Sequence, residues 1–411
     1  LLGVRALLSI LLLGAVTAQE RCVLLVLLDD VGVDRVACYG LAPDPPATPT
    51  LDRLAATGVR FTRAWAQPFC GPSRAALLTG RYGFRTGIGS NVEHGRGVRG
   101  LELEEWTLPE VLRAGTEGRL RTAACGKWHL ASFDQGDDHA RRQGFEHVAL
   151  TQGNLGDYSE FRKVVDGRSE KVERYATTDT VDDALQRIEA FGEQPWFVYL
   201  PLHAAHVPFH APPEELCVRE DLSTDAAMHK AAVEAADREL ARLLEAVPER
   251  TTVIVVGDNG TPRPAVEPPF VPEHGKGTLY EGSLQVPLIV AGAGVRGGGV
   301  CDALVSTVDL LPTVCSLLGV DARSVVPAER ALDGHDLTPL LEDPTAAGPR
   351  AALFAERFEP NHLAQKTQLL RAVRGPRFKL IRNELRGRER LFDLEVDPHE
   401  QRELLGAEEI S

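Results

Sequence analysis

Four uninterrupted apolar runs constrain this chain more than any other feature: CVLLVLLDD (22–30), RTAACGKWH (121–129), WFVYLPLHAAH (196–206) and TTVIVVGDN (251–259). A strand with one wet face alternates apolar and polar residues. A run that is apolar throughout is buried on both faces, as in a parallel sheet covered by helices. Helical patterns lie between the runs, at TPTLDRLAATG (48–58), LPEVLRAG (108–115), TTDTVDDALQRIEAFG (177–192) and HKAAVEAADRELARLLEAV (229–247), and STVDLLPTVCSLLG (306–319) follows. The expectation is an α/β fold in which a large mixed, mostly parallel sheet is sandwiched by helices. That domain spans residues 19–345. In residues 346–411 the pattern changes. LLRAVRGPRFKLIRN (369–383) and ERLFDLEVDP (389–398) read as two strands of a hairpin-like sheet, and HEQRELLG as a short helix, giving a small C-terminal antiparallel α+β subdomain. The charged run RNELRGRER between them reads as a solvated turn.

Each apolar run ends in polar residues: Asp29-Asp30, Lys127 and His129, His203 and His206, Asp258-Asn259. Open parallel sheets bind ligands at the carboxyl ends of their strands. If the four runs are neighbours, these groups face one crevice. Adjacent carboxylates are costly to bury unless a positive charge compensates. Asp29, Asp30, Asp258 and Asn259 together offer oxygen donors suited to a hard cation, Ca²⁺ first and Mg²⁺ as the alternative. Zinc is disfavoured, because no CxxC or CxxH pair occurs.

The formal charge of −14, from 45 Lys+Arg and 59 Asp+Glu, argues against a nucleic-acid-binding role. The N-terminal LLGVRALLSILLLGAVTAQE reads as an export signal cleaved after residue 18, which implies a periplasmic or secreted protein. No other stretch is apolar enough for a stable membrane anchor. The seven cysteines leave one over in any full pairing, and their connectivity is not readable.

The candidate for the odd thiol is Cys70, in FCGPSRAALLTGR (69–81). Pro72 suits the first turn of a helix and Gly80 its end. Cys70 then lies at the helix N-terminus, where a thiol pKa is lowered, with Arg74 one turn on. A plain buried cysteine in a turn fits the same position.

The stretch Cys70-Gly71-Pro72-Ser73-Arg74 with Ala75 to Arg81 resembles the signature of the type I sulfatases, in the alkaline phosphatase superfamily. Further similar stretches are LLDDVGVDRVACYG, ATPTLDRLAATGVRFTRAWAQ, GKWHL (126–130), HAAHVPFHAP (203–212), GDNG (257–260), HGKGTLYEGSLQVPLIV (274–290) and LFDLEVDPHEQREL (391–404). The resemblance implies an alkaline phosphatase-like fold. It also implies that Cys70 is converted to Cα-formylglycine by a formylglycine-generating enzyme. The hydrated aldehyde would offer one hydroxyl to attack sulfur and a second to expel sulfate. Asp29, Asp30, Asp258, Asn259 and modified Cys70 would hold the metal. Arg74 would orient the hydrate, Lys127 and His129 would line the nucleophile and the sulfate, and His206 and Lys276 would contact sulfate and the leaving oxygen. Taken singly, Lys276 also fits a solvated loop, and His206 and His129 satisfied core histidines. Departures from the family pattern are Ser283, Ala131 and the bulky Phe69.

The function expected is hydrolysis of sulfate esters of a carbohydrate or aryl alcohol. The alternatives are a phosphoester or phosphonate hydrolase on the same scaffold and a non-catalytic binder of sulfated glycans. His94, Arg96 and Arg99 are candidates to touch the leaving group.

Overall fold

The computed structural model describes residues 20–92, 99–296 and 298–405. The export signal expected at 1–18 lies outside them. Ten strands make the large sheet: β1 (Cys22–Leu28), β2 (Val59–Trp65), β3 (Arg121–Lys127), β4 (His147–Thr151), β5 (Phe161–Val165), β6 (Arg168–Val172), β7 (Trp196–Pro201), β8 (Thr251–Gly257), β9 (Leu288–Gly292) and β10 (Gly299–Ser306). Their order is β10-β2-β9-β8-β1-β7-β3-β4-β5-β6. The four apolar runs are therefore adjacent, as β8-β1-β7-β3. They pair in parallel, with β4 continuing in the same sense. β9 is antiparallel to both its neighbours and β5 is antiparallel to β4 and β6, which makes the sheet mixed.

Every residue of β1 is buried because alternate side chains feed two cores. Val23, Leu25 and Leu27 meet helices Cys70–Thr79, Leu108–Gly115 and Leu310–Leu317 through Leu77, Leu78, Val111, Leu112 and Val314. Leu24 and Val26 meet helices Ala176–Phe191 and Asp225–Ala246 through Val181, Ile188, Val233, Leu240 and Leu243. Each fully buried side chain of this kind contributes about 1.5–3 kcal/mol of transfer free energy. Local signals agree with the packing. Thr107 and Glu110 form a capping box at the head of helix 108–115, with the Thr107 N–H donating to Glu110 at 2.9 Å. Gly80, at φ +66°, closes the Cys70 helix in the left-handed region that glycine enters without penalty.

The second sheet is β11 (Leu353–Glu359), β12 (Gln368–Arg374), β13 (Phe378–Asn383) and β14 (Arg388–Asp393), antiparallel in sequence order. Two expectations are corrected here. Residues 369–383, read as one strand, form a tight hairpin of two. Pro376 has no N–H to continue a ladder, and the Gly375 N–H instead closes the turn on the Phe378 carbonyl at 2.9 Å. The helix expected over HEQRELLG is absent from residues 399–405. Glu400 takes φ +57°, and the Leu404 N–H donates to the Leu391 carbonyl at 2.8 Å, so this backbone bonds to β14 rather than to itself. All seven cysteines are free thiols, and Cys22, Cys70, Cys125, Cys301 and Cys315 are buried. No helix among the described residues is long and apolar enough to cross a membrane.

Candidate active site

Strand register assembles the site. Leu28 pairs with Gly257, so the residues that follow them, Asp29-Asp30 and Asp258-Asn259, emerge side by side. In an extended strand Asp29 and Asp30 would point to opposite faces. Asp30 instead adopts φ +62°, which turns its carboxylate toward that of its neighbour. The Asp30 N–H donates to Asp258 Oδ1 at 3.1 Å. On the other side, His229 Nε2–H donates to the Asp30 carbonyl at 2.9 Å. β3 delivers Lys127 to the same edge, and His129, two residues on, is again left-handed at φ +59°.

Cys70 is the first residue of its helix and fully buried. Its Sγ lies 3.4 Å from Asp29 Oδ1 and 4.0 Å from Asp30 Oδ1. Lys276 reaches in from the 275–280 loop, with Nζ 3.3 Å from Cys70 Sγ and 2.5 Å from Asp30 Oδ1. Lys127 Nζ lies 2.5 Å from Asp29 Oδ2. Arg74 Nη2 bridges Asp258 Oδ2 at 2.9 Å and Asp29 Oδ2 at 3.3 Å, while its Nη1 donates to the Lys127 carbonyl at 2.7 Å. Asn259 Nδ2 donates to Asp30 Oδ1 at 2.8 Å. His206 Nδ1–H donates to the Val207 carbonyl at 2.7 Å, leaving Nε2 turned to Asp30 Oδ2 at 3.8 Å. Ligand atoms of Asp29, Asp30, Cys70 and His206 all lie within 4.8 Å of one another.

The charges are strongly coupled. Burial acts to raise Asp29, but Lys127, His206, Arg74 and Lys276 outweigh it and hold the carboxyl well below the usual range. Asp258, buried and beside Asp29, is pushed up to about 6. Burial disfavours the Lys276 ammonium, yet Asp30 and the groups around it keep its pKa above the ordinary value. Burial and the charge of Lys127 push His206 down to about 4. His129 lies beside the cluster, held well below its usual value by burial and by Lys127.

One expectation fails here. The helix N-terminus and Arg74 do not lower the Cys70 thiol. Burial, with Asp258 and Asp29 close by, pushes it up, and Arg74 spends its guanidinium on those two carboxylates.

The donor set fits a hard cation. Asp30 Oδ2 and Asn259 Oδ1 are buried oxygens without a hydrogen-bond partner among the described residues. Such orphans are rare in native structures unless an ion or water satisfies them. Asp29, Asp30, Asp258 and Asn259 offer oxygen only, the chemistry of Ca²⁺ or Mg²⁺.

Three contributors escaped the sequence reading. His229 supports the Asp30 turn from inside helix 225–246, and no sequence motif marks it. The Tyr158 hydroxyl lies 2.7 Å from the carbonyls of both His203 and His206, donating to one at a time and fixing that loop. Tyr199, fully buried on β7, faces the charges of Arg74 and Asp258. Among the leaving-group candidates, His94 and Arg96 lie outside the described residues, and Arg99 is exposed and paired with Glu102.

Comparison with protein-family models matches residues 21–320 to the family described as Sulfatase, and residues 273–411 to N-sulphoglucosamine sulphohydrolase, C-terminal. The chain is 32% identical over 391 residues to arylsulfatase A of Homo sapiens, covering 85% of this chain and 73% of that protein. It is 31% identical over 373 residues to N-acetylgalactosamine-6-sulfatase of Canis lupus familiaris, covering 80% and 67% respectively. Among solved structures, Ps i-CgsB in complex with k-i-k-neocarrahexaose superposes with a TM-score of 0.80 at 25% identity, over 94% of this chain and 89% of that one.

Proposed function

Because the chain belongs to the type I sulfatase family and is a sulfuric ester hydrolase, we propose that it cleaves sulfate esters of a carbohydrate or aryl alcohol at Cys70, beside a divalent cation held by Asp29, Asp30, Asp258 and Asn259. The observation that carries this reading is the convergence of Asp29, Asp30, Cys70 and His206 within 4.8 Å, with Lys276 on the Cys70 sulfur. Converted to Cα-formylglycine, residue 70 supplies the oxygen nucleophile, and the cation, when bound, supplies Lewis acidity and positive charge.

The surrounding side chains account for the rest. Asp29, Asp30 and Asp258 carry three negative charges, and Arg74, Lys127 and Lys276 three positive ones, so these six side chains sum to zero. A sulfate ester is an anion, and a divalent cation in the oxygen cluster makes the site attractive to it. Arg74 holds Asp29 and Asp258 in place. Lys276, on the Cys70 sulfur, and Lys127, on Asp29, are donors to sulfate oxygens in a buried setting where their charge is weakly screened. With Nδ1–H committed to the Val207 carbonyl, any proton that His206 exchanges with the leaving oxygen passes through Nε2.

In this reading residues 19–345 are the catalytic domain and 346–411 its C-terminal subdomain. Residues 1–18 direct export, and a formylglycine-generating enzyme matures the chain. Two measurements test it. Peptide mass spectrometry across residues 64–74 should show formylglycine at position 70, and an intact thiol in active enzyme would refute the Cys70 route. Aryl sulfate should be turned over faster than the matched aryl phosphate, and the reverse order would make this a phosphoesterase.

A further inference from the structure

A second basic site adjoins the first. A pocket of about 320 Å³ lies between the 275–280 loop and the small sheet, with Arg263, Arg357, Arg386, Arg388 and Arg390 around it. No carboxylate is part of its lining. Glu359 lies 3.3 Å from Arg357 and Glu403 lies 3.8 Å from Arg390. Arg263, Arg386 and Arg388 have no ion pair among the described residues. Five guanidinium groups gathered in a chain of net charge −14 repel one another, an arrangement suited to an anionic ligand. Arginine matches sulfate and carboxylate oxygens with paired N–H donors. The floor is apolar, made by Leu279, Leu370 and Ile381, and the Tyr280 ring is fixed by stacking on His274 at 3.7 Å. A carbon skeleton that carries anionic groups fits such a lining.

The pocket and the candidate active site share a wall. Lys276 faces Cys70, and the next residue, Gly277, lines the pocket. Gly277 sits at φ +87°, and a Cβ there would lie 2.9 Å from the Phe69 ring, so the loop packs directly on the residue that precedes Cys70. Arg357 locks this wall: its guanidinium covers the Phe69 ring at 4.8 Å and its Nη1 donates to the Gly277 carbonyl at 2.6 Å. The bulk of Phe69, a departure from the family pattern, thus has a place in the structure. Lys276 and Gly277 are consecutive, one Cα step of about 3.8 Å apart, so the near edge of the pocket adjoins the Cys70 site.

Building on the sulfatase reading, we infer that the arginine pocket binds a second anionic group, sulfate or uronate carboxylate, on the same sugar substrate whose sulfate is cleaved at Cys70. The preferred substrates are then multiply anionic oligosaccharides, and Arg386 and Arg388 set that preference without touching the reacting atoms.

The test compares wild type with an Arg386→Ala/Arg388→Ala variant on three probes: 4-methylumbelliferyl sulfate, a disulfated disaccharide and a monosulfated uronate-containing disaccharide. Both arginines are exposed, so the fold should persist, checked by an unchanged Tm. For at least one disaccharide KM should rise about tenfold with kcat within about twofold, and the more affected probe identifies the anion. Turnover of the aryl sulfate should not change. Equal loss on all three probes, or no change on either disaccharide, overturns the proposal. Calorimetric binding of the same disaccharides to Cys70→Ala protein, with and without the arginine pair, separates the two readings. If wild type turns over no sulfate ester, the sulfatase mechanism fails, and the pocket still stands or falls on whether binding depends on Arg386 and Arg388.

Discussion

Asp30 occupies left-handed backbone, which costs a non-glycine residue roughly 1–2 kcal/mol, and the hydrogen bond from His229 to its carbonyl holds it there. In the proposed metal centre, one residue on a distant helix thus orients the Asp30 carboxylate through its backbone. His229→Ala should weaken Ca²⁺ binding by about 10–100-fold, the usual cost of losing an outer-shell partner. His229→Gln, whose amide still donates, should recover most of the loss. Calcium titration calorimetry on the two variants decides it, and equal affinity in His229→Ala and wild type would remove His229 from the site. The same contact marks the limit of legibility at this scale. Asp29, Asp30, Asp258 and Asn259 could be picked out because paired carboxylates at the ends of apolar runs are chemically odd. His229, Tyr158 and Tyr199 could not, because no motif marks them and their roles come from contacts with backbone carbonyls and charges far away in the chain. The Cys70 thiol was misjudged for a related reason: the helix N-terminus is visible in the sequence, whereas the carboxylates that oppose it, Asp29 and Asp258, arrive from other elements far away in the chain.

Among the elements, β1, β7 and β8 were legible because they are central and largely apolar, and β3 through its Ala-Ala-Cys centre. β2 alternates as VRFTRAW, and β4 and β9 are only five residues long, so tertiary pairing rather than pattern identifies them. The small sheet was partly legible, and its attachment was invisible. Lys379, fully buried on β13, lies 3.0 Å from Glu281 and 2.7 Å from Glu400, and its ammonium stands over the Trp65 ring at 4.8 Å. Arg374 of β12 also pairs with Glu281, and the Trp65 indole N–H donates to it at 3.2 Å. This clasp ties β12, β13 and the segment after β14 to the short helix Glu281–Leu284 of the main body. Removing one member of a buried charge network strands the others. Lys379→Met should therefore cost about 3 kcal/mol in denaturant titration, although methionine fills similar volume. A loss below about 1 kcal/mol, the range of exposed ion pairs, would show that the clasp is not what secures the small sheet.

At the scale of the whole molecule, the site is where the fold closes. Its groups come from the ends of β1, β3 and β8, the start of the Cys70 helix and the 275–280 loop, and the Asn259–Asp30 hydrogen bond spans 229 residues of sequence. An unfolded chain cannot present these oxygens together, so a cation that binds them binds the native state alone. Mass action then stabilises the fold by about 2.7 kcal/mol when the free ion is at 100 times its dissociation constant. With an unfolding entropy of about 2 cal/mol/K per residue, that corresponds to roughly 3 °C for a chain of this length. Chelation with EGTA should lower Tm by this order, and added Ca²⁺ should restore it in a concentration-dependent way. In Asp30→Asn protein, which keeps the side-chain volume and removes one ligand charge, the calcium-dependent shift should shrink or vanish, whatever its absolute Tm. Identical melting of wild type in EGTA and in millimolar Ca²⁺ and Mg²⁺ would mean that the three carboxylates are neutralised by Arg74, Lys127 and Lys276 alone, and the reading of this cluster as a metal centre would be wrong.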